Sequence, residues 1–272
     1  MTLDRRLTPA TARVALASLR GVIDRPDYID GTPARLAVPL ADLLKAPDGA
    51  RDRQLNFGAD VTIIDEDRGW VFVQAAADSY CGWLRPEVLT QDRPPITHRV
   101  TAPATHRYPG PNMKLPELDS LSIGARLSVS GIEGGFARLL TGGCVPLQHI
   151  GDTAAPDPVA VAESLLGTPY LWGGNSRAGI DCSGLAQIAL SECGIACPGD
   201  SDLQEKAFPA ADQIQRGDLL FWPGHVAIAA SPQVMVHATA WKMAVIHEPI
   251  ADAIARIDAA GDGPFLGIRR PG

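Results

Sequence analysis

Cys182 stands between Asp181 and Ser183, where the loop "GTPYLWGGNSRAGID" passes into the apolar run "CSGLAQIALSE". That run predicts a helix from Cys182 to Glu192, ended by Gly194. A thiol in the first turn of a helix meets unpaired backbone N–H groups and the positive end of the helix dipole. Both favour the thiolate, which is the nucleophilic form. Such a nucleophile needs a partner that takes its proton and returns it, and the histidines downstream are His225, His237 and His247. His225 opens "HVAIAA", His237 lies in "VMVHAT", and Ser231–Pro232 marks the turn between them. A turn centred near Ser231 sets the two histidines opposite each other on one face, with Cβ atoms about 4.5–5.5 Å apart. His225 would then accept the proton of Cys182, while His237 bonds the far ring nitrogen and fixes the tautomer. His247, beside Glu248, has no part in this scheme. Taken singly, a cysteine or a histidine is more often a packing residue. Together, the set favours catalysis.

The elements that must carry these residues are a pair of helices followed by a sheet. Asp157 and Pro158 form a cap and first-turn pair, Val161 and Leu165 lie one turn apart, and Gly167 with Pro169 stops this first helix. After the Cys182 helix come "DLLFW", "HVAIAA", "VMVHAT", "MAVIHEP" and "FLGIRR", short and alternating, as in an antiparallel sheet. Helices first and strands after predict an α+β domain. Asp218, before the first of these strands, reads as a structural turn residue.

The preceding half has a different texture. Residues 8–22 predict a short helix, with Thr8 as cap, Pro9 in the first turn, and Val14, Ala15, Leu19 and Val22 on one side. From about Ala37, β-type runs separated by Gly, Asp and Pro turns suggest a small barrel. The pattern then recurs: "LNFGADVTIIDEDRGWVFVQ" aligns with "LSIGARLSVSGIEGGFARLL", matching Gly58 to Gly124 and Trp70 to Phe136. "CGWLRPEVL" likewise aligns with "GGCVPLQHI", so two β-modules in tandem are expected.

The chain of 272 residues carries a net charge of −7 and no long basic run, which argues against a nucleic-acid partner. Its five cysteines are scattered, and the close pair Cys193 and Cys197 lacks a second pair or nearby histidines, so neither a disulfide framework nor a zinc site is expected. Neither a signal-peptide-like stretch nor a run long enough to span a membrane is read, and the expectation is a cytoplasmic chain without a membrane partner.

"PYLWGG", "DCSGL", "RGDLLFW", "GHVAI" and "VHA", in that order across residues 157–270, resemble the signature blocks of the NlpC family of papain-like cysteine peptidases. The two β-modules resemble bacterial SH3-like domains. The resemblance implies a papain-like peptidase domain at 153–272, SH3-like domains at 31–94 and 95–152, and a helical segment at 1–30. It implies a Cys182–His225–His237 triad that cleaves the γ-D-glutamyl to diamino acid bond of murein peptides through an acyl-enzyme, with no metal or cofactor.

The same resemblance suggests further site residues. Tyr170 would help hold the oxyanion, or be a core aromatic before the Gly turn. Trp172 would wall the cleft, or serve the core. Asp181 and Ser183 would contact substrate, cap the helix, or do both. "CPGDSDLQ" puts Asp200 and Ser201 toward substrate, although Gly199 replaces the arginine often found before them, and an ordinary Asx turn is the competing account. Relatives with two SH3-like domains recycle free wall peptides, and "DSYCGW" makes Tyr80 the match to a tyrosine near the substrate's free amine. The glutamate expected after the Phe57–Gly58 turn is replaced by Ala59. A murein-peptide-binding protein without catalysis, and an amidase or acyltransferase using the same triad, are the competing functions.

Overall fold

A computed structural model describes residues 3–272, which divide into two compact units, 3–100 with 104–151, and 101–103 with 152–272. The first unit contains two β-modules. One is a seven-stranded antiparallel sheet in the spatial order Arg51–Asn56, Leu40–Leu44, Cys81–Leu84, Trp70–Ala75, Asp60–Asp67, Thr32–Leu36, Leu89–Thr90. Alternate residues of these strands, among them Leu36, Leu43, Val61, Val71, Val73 and Leu84, close its core. The second module packs Val100, Leu121, Leu127, Leu139 and Val145 around a core of its own, joined by Phe57 from the first.

The two modules repeat element for element. Gly58 and Gly124 both take left-handed backbone, φ +78° and +82°, which a residue with a Cβ adopts only under strain. Trp70 and Phe136 each open a strand, Trp70–Ala75 and Phe136–Leu139. Cys81–Leu84 and Cys144–Pro146 each lead into a single 3₁₀ turn, Pro86–Val88 and Leu147–His149, and then into a two-residue strand.

The expected helix at 8–22 is absent. Val14–Leu16 is a strand paired in parallel with Asp27–Ile29, followed by a 3₁₀ turn at Ala17–Leu19. The Thr8 hydroxyl makes a local turn bond to the Asp4 carbonyl at 2.6 Å, while Thr11 Oγ1 donates to Asp65 Oδ2, distant in sequence, at 2.7 Å. Val14 buries against Ile64, Phe72 and Cys81, whereas Val22 is 62% exposed, so no apolar helix face is needed.

The second unit carries four helices, α1 (Pro158–Ser164), α2 (Cys182–Glu192), α3 (Ser201–Ala207) and α4 (Ile250–Ala260). Its six-stranded antiparallel sheet comprises β1 (Ala210–Ala211), β2 (Leu219–Trp222), β3 (His225–Ala229), β4 (Val234–Thr239), β5 (Ala244–Pro249) and β6 (Gly267–Arg269), in the order β1-β6-β2-β3-β4-β5. On one face Leu220, Trp222, Ala227, Ala229 and Met235 pack with Ile250, Ala253 and Ile257 of α4. The alternate residues Phe221, Val226, Ile228, Val236 and Ala238 are also buried, and α1 and α2 approach β3 and β4. Helices therefore cover both faces, and the sheet reads as near-continuous apolar runs. α2 has the expected limits, and α1 starts as expected, with Asp157 capping it at the Val159 N–H, but ends at Ser164, short of Gly167. Asp218 is structural, bonded at 2.8 Å by both Nε and Nη2 of Arg270.

Candidate active site

Asp181 fixes the start of α2. Its Oδ1 accepts from the Gly184 N–H at 2.7 Å and the Ser183 hydroxyl at 3.0 Å, and its Oδ2 accepts from the Gly173 N–H at 2.8 Å. One carboxylate thus caps the helix and ties it to the loop that delivers it. A Cβ on Gly184 would stand 2.5 Å from the Gly174 carbonyl oxygen, so only glycine lets these backbones meet.

Cys182 is the first residue of α2 and is 7% exposed. Its sulfur rests against β3 on both sides of His225: the Gly224 carbonyl oxygen is 3.9 Å away, and the Val226 N–H faces it with those of Ser183 and Cys182. The expected thiolate is not the resting state. Burial pushes the thiol up to about 12, the Asp181 charge adds to this, and the three N–H groups offset it only in part. Desolvation outweighs the helix terminus.

The histidine register also differs from expectation. Ile228 pairs with Val236 and Ala229 with Met235, so the turn is centred on Pro232. Continued along the strands, this pairing sets His237 opposite Ala227. His225 and His237 are diagonal neighbours on one face, still within reach for long side chains. His225 Nε2 lies 2.9 Å from His237 Nδ1, with the rings at 70°. Nδ1 of His225 is therefore the nitrogen left for the thiol. Trp222, the cross-strand partner of His225, packs on its ring at 5.7 Å between centroids. Burial lowers His225 to about 3, with His237 and Arg256 adding to the effect; it lowers His237 to about 4, with Arg256 adding. Both imidazoles are neutral near pH 7.

A buried thiol at a helix start, against the backbone on either side of a histidine whose ring is oriented by a second imidazole, is an arrangement suited to acyl transfer. Residues 167–255 match the NlpC/P60 family, and residues 43–89 match the bacterial dipeptidyl-peptidase SH3 domain. The second unit is an NlpC/P60 cysteine peptidase domain. Dipeptidyl-peptidase 6 of Lysinibacillus sphaericus is 45% identical over 85 residues, which span 30% of this chain and only 31% of that protein. A gamma-D-glutamyl-L-lysine dipeptidyl-peptidase of Bacillus cereus is 28% identical over 222 residues, 69% of this chain and 67% of its own length. The crystal structure of an NlpC/P60 family protein from Bacillus cereus shares the fold, with TM-score 0.76 at 23% identity over 88% of this chain and 99% of that one.

Within the NlpC/P60 domain, Tyr170 is anchored by its N–H to the Met243 carbonyl at 2.9 Å. Burial raises its hydroxyl, and the Cys182 and Asp181 charges raise it further, so it stays a proton donor beside the nucleophile. Trp172 is 69% exposed, which removes the core reading. Ser183 is buried with its hydroxyl on Asp181. Asp200 precedes α3 and its carbonyl accepts from Leu203 and Gln204, so the segment is a helix start where an isolated Asx turn was the alternative. Ser201 is the first residue of that helix.

Tyr80 belongs to the first unit. Its ring is 1% exposed in the first module's core, under the Arg53 guanidinium at 5.1 Å, and Arg53 pairs with Asp78.

Three residues of the domain escaped the sequence reading. Gln204, fully buried, donates from Nε2 to the Ser183 and Pro198 carbonyls, both at 2.9 Å, and so holds α3 to the start of α2. Glu248, 5% exposed, places Oε2 3.0 Å from His237 Nε2. Arg256 of α4 bonds both oxygens of Glu248, at 2.9 and 2.8 Å. Glu248 could have been found by alternation: Ile246 pairs with His237, and Glu248 lies two residues on, on the same face.

Proposed function

We propose that this cysteine peptidase hydrolyses the bond between the γ-carboxyl of D-glutamate and a diamino acid in murein peptides, acting on free L-Ala-γ-D-Glu-diamino acid peptides released from the wall. The observation that carries the reading is the Cys182 sulfur set against the backbone around His225, whose far nitrogen is engaged by His237. The name of the Bacillus cereus relative, a gamma-D-glutamyl-L-lysine dipeptidyl-peptidase, supports the choice of bond.

In this mechanism Cys182 Sγ attacks the γ-carbonyl carbon of the glutamyl residue as its proton passes to His225 Nδ1. The developing oxyanion is met by the Tyr170 hydroxyl and the backbone N–H at the nucleophile. Collapse breaks the C–N bond, and the diamino acid leaves with the proton from His225. Water, deprotonated by His225, then attacks the thioester and releases the D-glutamyl peptide, returning the proton to Cys182. Trp172 walls the cleft, and Asp181, Ser183, Asp200 and Ser201 line the peptide. Ser183 must exchange its bond to Asp181 to take part.

Selection of a free amine is assigned to Asp200. An enzyme with that preference serves recycling in the cytoplasm, where released peptides are met without intact wall. The test compares free tripeptide with intact sacculi for wild type and Asp200→Asn. Preference for the tripeptide, weakened in the variant, supports the reading. Equal digestion of both substrates, or unchanged selectivity in Asp200→Asn, would remove the recycling part.

A further inference from the structure

We propose that Glu248, clamped by Arg256, is a positioning residue that sets the tautomers of both histidines and so presents the lone pair of His225 Nδ1 to Cys182. The proposal rests on the reading of Cys182 as nucleophile and His225 as its base.

Glu248, held by two guanidinium N–H groups, can only accept, so the group facing it must donate. That group is His237 Nε2, 3.0 Å from Oε2. His237 has no exposed surface, and its Nε2 makes no hydrogen bond of good geometry; the Glu248 carboxylate is the polar group 3.0 Å from it. A neutral imidazole carries one proton, so a proton on Nε2 leaves Nδ1 of His237 as an acceptor. His225 Nε2, 2.9 Å from that Nδ1, must then be the donor. His225 Nδ1 is thereby left unprotonated, as a general base must be. Reverse the first bond and every later one reverses, leaving N–H on the nitrogen meant for the thiol.

The geometry of the sheet makes the relay possible. His225, His237 and Glu248 stand on the neighbouring strands β3, β4 and β5, each displaced diagonally from the last on one face. Arg256 follows on α4, with its guanidinium stacked on Trp241 at 4.4 Å. The clamp is therefore held from both sides.

The test reads the ring tautomers by ¹⁵N NMR of histidine-labelled protein near neutral pH, without substrate, alongside kcat and KM. Wild type is expected to carry its protons on Nε2 of both His225 and His237. In Glu248→Gln, protons should appear on Nδ1 of both rings, with kcat lowered about tenfold or more and KM little changed. The double variant Glu248→Gln/Arg256→Gln removes both charges while keeping hydrogen-bonding groups, so the fold is kept if the single variant unfolds, and the same tautomer loss is expected. A proton on Nδ1 of His225 in wild type, or unchanged tautomers in the folded variants, would overturn the assignment. The tautomers are read on free protein, so an error in the proposed substrate leaves this result standing.

Discussion

His225 Nε2 and His237 Nδ1 are 2.9 Å apart although the two residues are not cross-strand partners. The diagonal placement lets one imidazole reach the edge of the other, and it makes His237 an orienter with no access to the thiol. His237→Gln keeps a carbonyl acceptor for His225, whereas His237→Leu removes it. Activity should fall in the order wild type, Gln, Leu, with the Leu variant down about 10²-fold in kcat and KM little altered. Steady-state kinetics on the tripeptide checks the order.

The resting thiol is neutral, and its reactivity should show it. With burial holding Cys182 up to about 12, the thiolate fraction grows with each step in pH. Alkylation of Cys182 by iodoacetamide, followed by peptide mass spectrometry to separate it from the other cysteines, should quicken about tenfold per pH unit from pH 6 to 9. A plateau across that range would mean a stable thiolate–imidazolium pair.

The two histidines should also make the peptidase unit acid-sensitive. Above pH 6.5 both are neutral whether folded or unfolded, and they contribute nothing to pH dependence. As pH falls below 6.5 the unfolded chain takes up protons that the folded rings, lowered to about 3 and about 4, refuse. The unfolded state therefore gains, and stability falls until the folded values are reached. With a limiting slope of about 1.4 kcal/mol per pH unit for each ring, urea denaturation should show a loss of about 3 kcal/mol between pH 6.5 and 5. In His237→Gln the slope should be roughly halved.

Gly184 tests the junction that delivers the nucleophile. The methyl of Gly184→Ala would press on the Gly174 carbonyl and on Asn175 Oδ1 and Asp181 Oδ1. Thermal unfolding should show a loss of about 1–3 kcal/mol, with activity reduced beyond what stability explains because the Asp181 cap shifts.

Much of this site was readable because its chemistry is written in short spacings. Asp181, Cys182 and Gly194 marked a helix with its cap, nucleophile and stop, and the alternation around His225 and His237 marked two strands of one hairpin. What escaped depended on contacts between segments distant in sequence. The hairpin register turned on one residue, Pro232 in place of Ser231, which local composition does not decide. Cys182 has a helix start in its sequence, but its protonation is governed by burial under β3. Glu248 and Arg256 meet His237 through a strand and a helix whose apposition only the fold supplies. At the other end, residues 8–22 carried helix-like punctuation, yet Val14 was worth more buried against Ile64 and Phe72 than on a helix.

The central claim is that Cys182 cleaves a γ-D-glutamyl bond. Mass spectrometry of L-Ala-γ-D-Glu-meso-diaminopimelate incubated with wild type and Cys182→Ala tests it most directly. The account predicts L-Ala-D-Glu and free diaminopimelate from wild type and intact tripeptide from the variant. Intact tripeptide with folded wild type, or equal cleavage by Cys182→Ala, would contradict it.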